Sequence, residues 1–423
     1  MNKEKVITVV DSPMGCGKTS AAIEKINSIC NSGFPRPRIM FITPYLNEVE
    51  RVKNSVNIDM VEPEISYNKG KNTKLNGLKR LLELNCDIIS THALFKSIDI
   101  EILNLLERNN YILILDEVFQ VIDNIRIKKN DLKLLMDNNW IIPVEGDTNG
   151  RYQWNYGVAP NEETSFEYIK NYSDTKNLYV FNDNALYWSF PVEVFKLFKE
   201  IYILTYLFEA QIQSYYYKLH NIKYELKSAK YIDNKYQIVE YDKQQDIEFR
   251  KRMKSLLHIY DGKLNNNYLP LDIKKGKINF SLSSSWYSNK SNDKHIKKMK
   301  GNLDNYFKNV QGAKSNNRLW TCYKDQFELV KGRYGKQFIS YTTRATNDYK
   351  HIENIAFLIN IFMNPNEENY FTYQNIKVNS ELKAVSDLLQ FIYRGCIREN
   401  RPMNLYLPSQ RMRRLLNDFM NEE

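Results

Sequence analysis

The stretch VITVVDSPMGCGKTS (residues 6–20) limits the possible folds of this chain more than any other. It joins a short β-branched run, a turn that contains two glycines, and an amphipathic segment, TSAAIEKINSIC. A strand, a tight turn and a helix in this order form a phosphate-binding loop, because the first amides of the helix point at the phosphates. The sequence therefore predicts a nucleoside triphosphate site at the edge of an α/β sheet.

Each residue of this loop has an expected task. Gly15 and Gly17 let the backbone come close to the phosphates. Lys18 reaches the β- and γ-phosphates, and the Thr19 hydroxyl binds magnesium. Ser12 stands where the first glycine of such loops usually falls, and a small residue still allows the turn out of the strand. The expected nucleotide-binding set is Gly15, Cys16, Gly17, Lys18, Thr19 and Ser20.

A second motif, YILILDEVFQ (residues 111–120), supplies the carboxylates that hydrolysis needs. Asp116 and Glu117 follow an apolar strand, and the carboxyl ends of parallel strands are where an α/β sheet binds its ligands. Asp116 is expected to bind magnesium together with Thr19, and Glu117 to orient and deprotonate the attacking water. ATP and Mg²⁺ are therefore the predicted cofactors, and Lys18 and Glu117 are predicted catalytic residues.

Two further strand ends carry polar residues that suit nucleic-acid phosphates. RIMFITPYLNEVERV places Thr43 and Pro44 at a strand end and Arg51 on the helix that follows, and CDIISTHALF ends in Thr91 and His92. Hydroxyls and helix-start amides at such edges bind phosphates without reading sequence. An ordinary helix cap is the alternative for each. The net charge of +10 favours a polyanionic partner but also fits a merely basic enzyme.

Length and composition limit the remaining possibilities. A chain of 423 residues suits two domains of ordinary size. Its five cysteines are scattered without a C-x-x-C pair, which argues against zinc and disulfides and for a reducing cytoplasm. The first apolar run is too short for a signal peptide, and no run is long enough to span a membrane. A cytoplasmic protein without membrane contact is expected.

The order of these motifs resembles that of superfamily 2 helicases. SPMGCGKT, ITPYLNEVERV, ISTHALF, LDEV and LTYLFEA resemble motifs I, Ia, Ib, II and III. INFSLSSSWYSNK, ISYTTRATNDYKHIENIAFLINIFMNP and LLQFIYRGCIREN resemble motifs IV, V and VI. The likeness is greatest to DEAD/DEAH-like helicases of bacteriophages, because PMGxGKT is also the loop form of viral origin-binding helicases. It extends from about residue 5 to about residue 407.

This resemblance implies an α/β fold of two tandem RecA-like P-loop NTPase domains, with ATP bound between them. It also implies arginine fingers on the γ-phosphate, for which Arg394 and Arg398 are the candidates. Arg398 stands one residue later than the Q-x-x-G-R-x-x-R form of motif VI requires. Thr343 and Thr346 would contact the nucleic-acid strand together with the first-domain residues. No adenine-reading Q motif precedes the loop, so a preference for ATP rests on the resemblance.

The expected domains are residues 1–213 and 214–423, with an insertion at about 128–186 in the first. SYYYKLHNIKYELKSAKY is interpreted as a connection between the domains. GRYQWNYG, within the insertion, contains Tyr152, Trp154 and Tyr156. These aromatic residues are expected to form the core face of a hairpin, and a stacking platform for unpaired bases is the alternative.

The predicted function is that of an ATP-dependent helicase or translocase on single-stranded or forked DNA, in phage replication and with possible replication partners. An RNA helicase is one alternative. A nucleotide-gated clamp or replication loader without processive unwinding is another. The sequence leaves polarity of unwinding and oligomeric state open.

Overall fold

The structure is a computed structural model that describes residues 5–31, 33, 35–44, 46–68, 71–147, 150–160, 164–181, 185–266, 280–343 and 347–422. The chain forms two compact units. Unit 1 contains Met1–Ser12, Cys16–Tyr241 and Pro365–Val378. Unit 2 contains Pro13–Gly15, Asp242–Asn364 and Asn379–Glu423.

The described part of residues 5–241 is an alternation of strands and helices. Its strands are β1 (Ile7–Asp11), β2 (Arg38–Thr43), β3 (Ser66–Asn68), β4 (Lys71–Thr73), β5 (Ile88–Thr91), β6 (Tyr111–Asp116), β7 (Ile122–Ile125), β8 (Ile141–Pro143), β9 (Tyr152–Trp154), β10 (Leu178–Phe181), β11 (Ala185–Ser189), β12 (Glu200–Thr205), β13 (Tyr224–Ile232) and β14 (Lys235–Glu240). Its helices are α1 (Lys18–Asn31), α2 (Leu46–Lys53), α3 (Lys74–Glu83), α4 (His92–Lys96), α5 (Ile100–Arg108), α6 (Lys129–Asp137), α7 (Glu167–Asp174), α8 (Val194–Leu197) and α9 (Ile212–Leu219).

The rest of the chain alternates in the same way. Its strands are β15 (Leu257–Ile259), β16 (Arg318–Thr321), β17 (Asn354–Phe357) and β18 (Met403–Tyr406). Its helices are α10 (Lys243–Leu256), α11 (Lys263–Asn266), α12 (Ser284–Ser288), α13 (Asp293–Asn305), α14 (Phe327–Val330), α15 (Pro365–Tyr373), α16 (Ser380–Ile392) and α17 (Gln410–Asn421).

The main sheet of unit 1 has the strand order β14-β13-β1-β12-β6-β2-β5. All neighbours run parallel except the β13–β14 pair. Every residue of β6 is buried, as expected for a central strand covered on both faces. Strand β12 lies between the loop-bearing strand β1 and the carboxylate-bearing strand β6, which is the RecA-like order. The carboxyl ends of all these parallel strands therefore meet at one edge, where the site is found.

Unit 2 contains a smaller, fully parallel sheet with the order β15-β18-β17-β16. Its core is rich in aromatic rings, and the rings of Tyr306 and Tyr406 stack with their centroids 4.8 Å apart. Parallel sheets covered by helices define an α/β fold. The predicted fold class, two tandem RecA-like domains with an insertion in the first, is confirmed.

The insertion is a subdomain with its own core, here called the middle subdomain (residues 122–189). It contains the antiparallel sheet β10-β11-β7 and the hairpin β8–β9. Trp154 lies in its core and Tyr152 packs against that core, so these two residues have the predicted hairpin role. Tyr156 differs from the prediction: it is exposed, and its hydroxyl donates to Asp174 Oδ1 at 2.6 Å.

The change from unit 1 to unit 2 comes later than the expected boundary at residue 213. The segment interpreted as a connection (residues 214–231) forms most of α9 and of β13, and Tyr224 of β13 pairs in register with Ile7 of β1. Strand β14 follows and pairs with β13. This pairing adds both strands to the first sheet, so unit 1 continues to Tyr241 before the chain enters unit 2. Polar strands of this kind carry little of the alternation that predicts a strand.

Helix α15 is a second difference, because it belongs to unit 1 although its neighbours in sequence belong to unit 2. The ring of Tyr370 lies 5.1 Å from that of Tyr187 in the middle subdomain. The ring of Phe371 lies 5.7 Å from that of Tyr215 on α9. The chain therefore returns to unit 1 for one helix before it completes unit 2.

Candidate nucleotide-binding site

The loop between β1 and α1 has the backbone that its glycines predict. Gly15 and Gly17 have φ angles of 82° and 81°, in the left-handed region that glycine adopts without strain. Space at position 17 is also limited, because an added Cβ would overlap the ring of Tyr236 on β14 and force it to move. The loop then enters α1 at Lys18, so the first amides of a fourteen-residue helix face the turn.

Ser12 has a structural role that explains why it replaces glycine. Its backbone N–H donates to the Thr205 carbonyl at 3.0 Å, and its hydroxyl accepts a hydrogen bond from the Ala229 N–H at 2.8 Å. The end of β1 is thereby joined to β12 on one side and β13 on the other. Lys18 Nζ donates to the Ser12 carbonyl at 2.7 Å, which holds the lysine over the loop.

Thr19, Thr43 and Asp116 meet at the carboxyl edge of the sheet. The Thr19 hydroxyl lies 3.1 Å from Asp116 Oδ1, and the Thr43 hydroxyl lies 3.5 Å from Asp116 Oδ2. Burial, together with the negative charges of Glu117 and Glu48, raises the pKa of Asp116 to about 7. A hydroxyl and a carboxylate are hard oxygen donors of the kind that Mg²⁺ prefers, so this pair fits the predicted metal.

Glu117 lies in a strained turn directly after this carboxylate. Its φ angle is 66°, and its N–H donates to the Leu204 carbonyl at 2.8 Å. A left-handed backbone at a residue other than glycine costs on the order of 1–3 kcal/mol and is concentrated at functional sites. The turn ends β6 abruptly, and Glu117 is half-buried at this edge.

Asp11 and Thr205 are site residues that the sequence does not single out as ligands. The two carboxylate oxygens of Asp11 accept hydrogen bonds from the N–H groups of Leu207 and Phe208, at 2.8 and 3.0 Å. This fixes the turn after β12, in which Leu207 has a φ of 56°. Thr205 Oγ1 is buried and has no hydrogen-bond partner among the described residues. The sequence signal for both residues is their place as the polar last residue of a strand of this sheet.

The predicted nucleic-acid residues of unit 1 differ in exposure. Arg51 is exposed on α2 and forms an ion pair with Glu48 at 2.6 Å. Thr91 occupies the cap position of α4 but makes no capping hydrogen bond with its side chain. The side chains of Thr43 and His92 are both buried. The Thr43 hydroxyl faces Asp116, so it belongs to the carboxylate site, and Pro44 beside it is half-buried.

The predicted arginine fingers of unit 2 have different surroundings. Arg394 is 4% exposed, and its guanidinium donates to the carbonyls of Ser340, Tyr341 and Thr343. Its side chain therefore holds the loop that resembles motif V. Arg398 is exposed, as is Thr343. Thr346 lies outside the described residues.

Within the described part of the chain, every helix is too short or too polar to pass through a bilayer.

Comparison with known proteins identifies two matching family models. "YonV C-terminal Rossmann-like domain" matches residues 251–420, and "YonV middle domain" matches residues 122–188, all but the last residue of the middle subdomain.

Three solved structures are similar over most of this chain. Apo XPD has 11% identity, a TM-score of 0.46 and coverage of 97% of this chain and 95% of that chain. S. tokodaii Xpd4 has 13% identity and a TM-score of 0.47, and the match covers 99% of this chain and 95% of that chain. The helicase MrfA bound to DNA and AMPPNP has 9% identity, a TM-score of 0.36 and coverage of 99% and 48%. Such values support no conclusion about function.

A curated relative extends over the whole chain. The SPbeta prophage-derived uncharacterized protein YonV of Bacillus subtilis (strain 168) is 36% identical over 424 residues, which cover 99% of each chain. The chain therefore belongs to the YonV family.

Proposed function

We propose that this chain is a Mg²⁺-dependent nucleoside triphosphatase with ATP as its nucleotide. The observation that carries the proposal is the 3.1 Å contact between the Thr19 hydroxyl and Asp116 Oδ1. It joins the phosphate loop to the carboxylate strand at the place where a Mg²⁺–triphosphate would bind. Lys18 neutralises the β- and γ-phosphates, and the amides from Gly15 to Ser20 bind their oxygens.

Glu117 and an arginine complete the proposed hydrolysis. Glu117 orients the attacking water and accepts its proton, and the strained turn supports this role because it fixes the residue beside the metal ligand. Arg394 and Arg398 are the candidate fingers on the γ-phosphate. Arg394 would have to break its hydrogen bonds to three loop carbonyls before it could bind phosphate oxygens, whereas Arg398 is exposed. We therefore assign the finger to Arg398 and the positioning of residues 340–343 to Arg394.

The proposed work of this site is movement along nucleic acid, as a helicase or translocase. The net charge of +10 supports a polyanionic partner. Pro44, Arg51 and Thr91, together with Thr343 and Thr346, are the proposed phosphate contacts. Single-stranded or forked DNA in the host cytoplasm is the proposed substrate. Phage DNA replication is the proposed process, because the curated relative is prophage-derived.

The test is ATP hydrolysis by the full chain, alone and with single-stranded DNA, forked duplex or RNA. We expect a severalfold stimulation by DNA. Lys18→Ala should lose nucleotide binding and turnover. Glu117→Gln should keep binding but lose about 10²–10⁴-fold in turnover, the usual contribution of a general base. Lys53→Ala, which removes an exposed lysine of α2, is the matched control.

The outcomes separate the alternatives. Stimulation by RNA alone would make the chain an RNA helicase. Stimulated hydrolysis without strand displacement on the fork would favour a nucleotide-gated clamp or loader. Turnover retained by both Lys18→Ala and Glu117→Gln would refute the proposed site itself.

A further inference from the structure

Unit 1 contains a cleft of about 680 Å³ that the nucleotide site does not use. One wall is formed by α4 and the turn after it, which contribute Lys96 and Ser97. The opposite wall comes from the middle subdomain and includes Asn124, Arg126 and Tyr168. Small-molecule and nucleotide sites usually have volumes of about 300–1,000 Å³. The cleft is thus large enough for one or two nucleotides.

The wall from the middle subdomain offers aromatic rings to this space. Tyr168 and Tyr172 of α7 pack edge to face with their centroids 6.4 Å apart. Tyr168 remains 39% exposed although it lines the cleft. Trp188 of β11 is almost completely buried and contributes to the lining. An exposed aromatic ring in a concave site is a stacking surface for a base, since every base has a π face.

Two basic side chains, Lys96 and Arg126, line the cleft together with these aromatic rings. The side chain of Lys96 is 28% exposed, and its ammonium group lies 4.5 Å from the centre of the Trp188 ring. It also donates to Gln120 Oε1 at 3.0 Å, and Asp123 Oδ2 lies 3.7 Å away. Burial lowers the pKa of this lysine, so an additional anion beside it would be stabilising. Arg126 adds an exposed guanidinium to the lining.

The polar groups of the wall suit the edges of bases. Asn124 of β7 and Asn171 of α7 both line the cleft. Each amide offers a donor and an acceptor, so either can pair with a base without requiring one particular sequence. An acidic peptide would use the cations and the amides, but its backbone offers no flat π face to stack on the exposed tyrosine ring.

Helix α4 connects this cleft to the nucleotide edge of the sheet. It begins directly after Thr91, which pairs in register with Thr43 at the ends of β5 and β2. Five residues later the same helix ends at Lys96 in the cleft. A strand that contacts the sheet edge at Thr91 therefore needs to extend by only one short helix to reach the cleft.

We propose that this cleft binds unpaired nucleotides of a single-stranded nucleic acid, with a base stacked on Tyr168 and phosphates held by Lys96 and Arg126. The inference rests on the proposed function, because it takes nucleic acid to be the substrate. It adds a binding site between α4 and the middle subdomain that is separate from the strand ends of the sheet.

The test is the affinity of the full chain for labelled oligothymidylate and oligouridylate, measured by fluorescence anisotropy without nucleotide. Tyr168→Ala should weaken binding roughly five- to 150-fold, the range that loss of one base–aromatic stack produces. Tyr168→Phe keeps the ring and should bind like the wild type. Arg126→Ala should reduce the slope of log K against log salt by about 0.7, which corresponds to one lost phosphate contact.

Two variants of the middle subdomain serve as controls, because neither residue lines the cleft. Tyr156→Ala removes an exposed tyrosine and Lys133→Ala an exposed lysine, and both should bind like the wild type. Equal weakening by Tyr156→Ala and Tyr168→Ala would overturn the assignment to the cleft. Tighter binding of oligothymidylate than of oligouridylate would indicate a preference for DNA, and the reverse would indicate a preference for RNA.

The outcomes also separate this inference from the proposed function. If the wild type binds an oligonucleotide and Tyr168→Ala binds equally well, the cleft is not the site, while the helicase proposal stands. If the wild type binds neither oligonucleotide, the helicase proposal and the cleft proposal both fail. Binding of an acidic peptide would then show that a peptide, not a nucleic acid, occupies the cleft. Weakened binding by Tyr168→Ala with unchanged ATP turnover in the absence of nucleic acid supports the cleft alone.

Discussion

The carboxyl group of Asp116 should control the pH dependence of the nucleotide site. Its pKa is raised to about 7, first by burial and then by the charges of Glu117 and Glu48. A proton and Mg²⁺ compete for this group, so the free protein is competent only when Asp116 is ionised. We expect kcat/KM for MgATP to be constant above about pH 8 and to fall roughly tenfold for each pH unit below 7, because kcat/KM reports the free enzyme.

The same pKa predicts the opposite trend for stability. A carboxyl group with a raised pKa binds its proton more tightly in the folded state than in the unfolded state. The metal-free protein should therefore be stabilised by Asp116 as the pH falls from about 7 towards 4, and it should lose this stabilisation as the pH rises. A shift of about three units corresponds to on the order of 4 kcal/mol. Asp116→Asn should accordingly unfold at higher urea concentration than the wild type at about pH 8, with little difference at acidic pH.

Two substitutions on α2 test the cause of this shift. Glu48 raises the pKa of Asp116 and Arg51 lowers it. Glu48→Gln should therefore move the acidic limb of kcat/KM to lower pH, and Arg51→Gln should move it to higher pH. Both variants break the same ion pair, so general damage to α2 would affect them alike. A flat profile between about pH 8 and pH 6, or movement of both variants in one direction, would refute the reasoning.

Two further predictions concern stability, measured by urea unfolding of the full chain. Asp87 is buried and accepts bonds from both terminal nitrogens of Arg36, at 2.9 and 2.6 Å, so Asp87→Ala should destabilise by about 3–5 kcal/mol. Glu62→Ala, which breaks a more exposed ion pair, should cost at most about 1 kcal/mol, and equal losses would contradict the argument. Ser12→Gly restores the usual loop residue yet removes the hydroxyl that accepts a hydrogen bond from the Ala229 N–H, so it should destabilise the protein by about 0.5–1.5 kcal/mol. An unchanged urea midpoint for Ser12→Gly would show that this hydrogen bond contributes nothing to the stability of the protein.

The parts of the site that the sequence predicts are those formed by local patterns. The glycines of the loop and the carboxylates at the end of β6 stand close to the strands that position them, and the structure brings Thr19 and Asp116 together as that pattern implies. The α/β fold follows from the alternation of strands and helices over the whole chain. Each of these features depends on residues close together in sequence.

The features that the sequence does not reveal depend on distant partners. The hydroxyl of Ser12 bonds to a residue more than two hundred positions away, and the carboxylate of Asp11 bonds to the turn after β12. Thr43 lies at the end of its strand as predicted, but the pairing of β2 with β6 decides which neighbour its hydroxyl faces. Arg394 matches motif VI by position, while its buried contacts with loop carbonyls are visible only in the fold.

The return of α15 to unit 1 determines the order in which the protein can mature during synthesis. The sheet of unit 1 is available once Tyr241 has been made, but the rings of Tyr187 and Tyr215 keep an uncovered face until α15 follows. Domains usually fold one after another as the chain emerges. Here residues 242–364 must be synthesised before unit 1 is complete, so the two units are finished almost together. A fragment that ends at Tyr241 would carry this uncovered aromatic surface permanently, which makes it prone to aggregation.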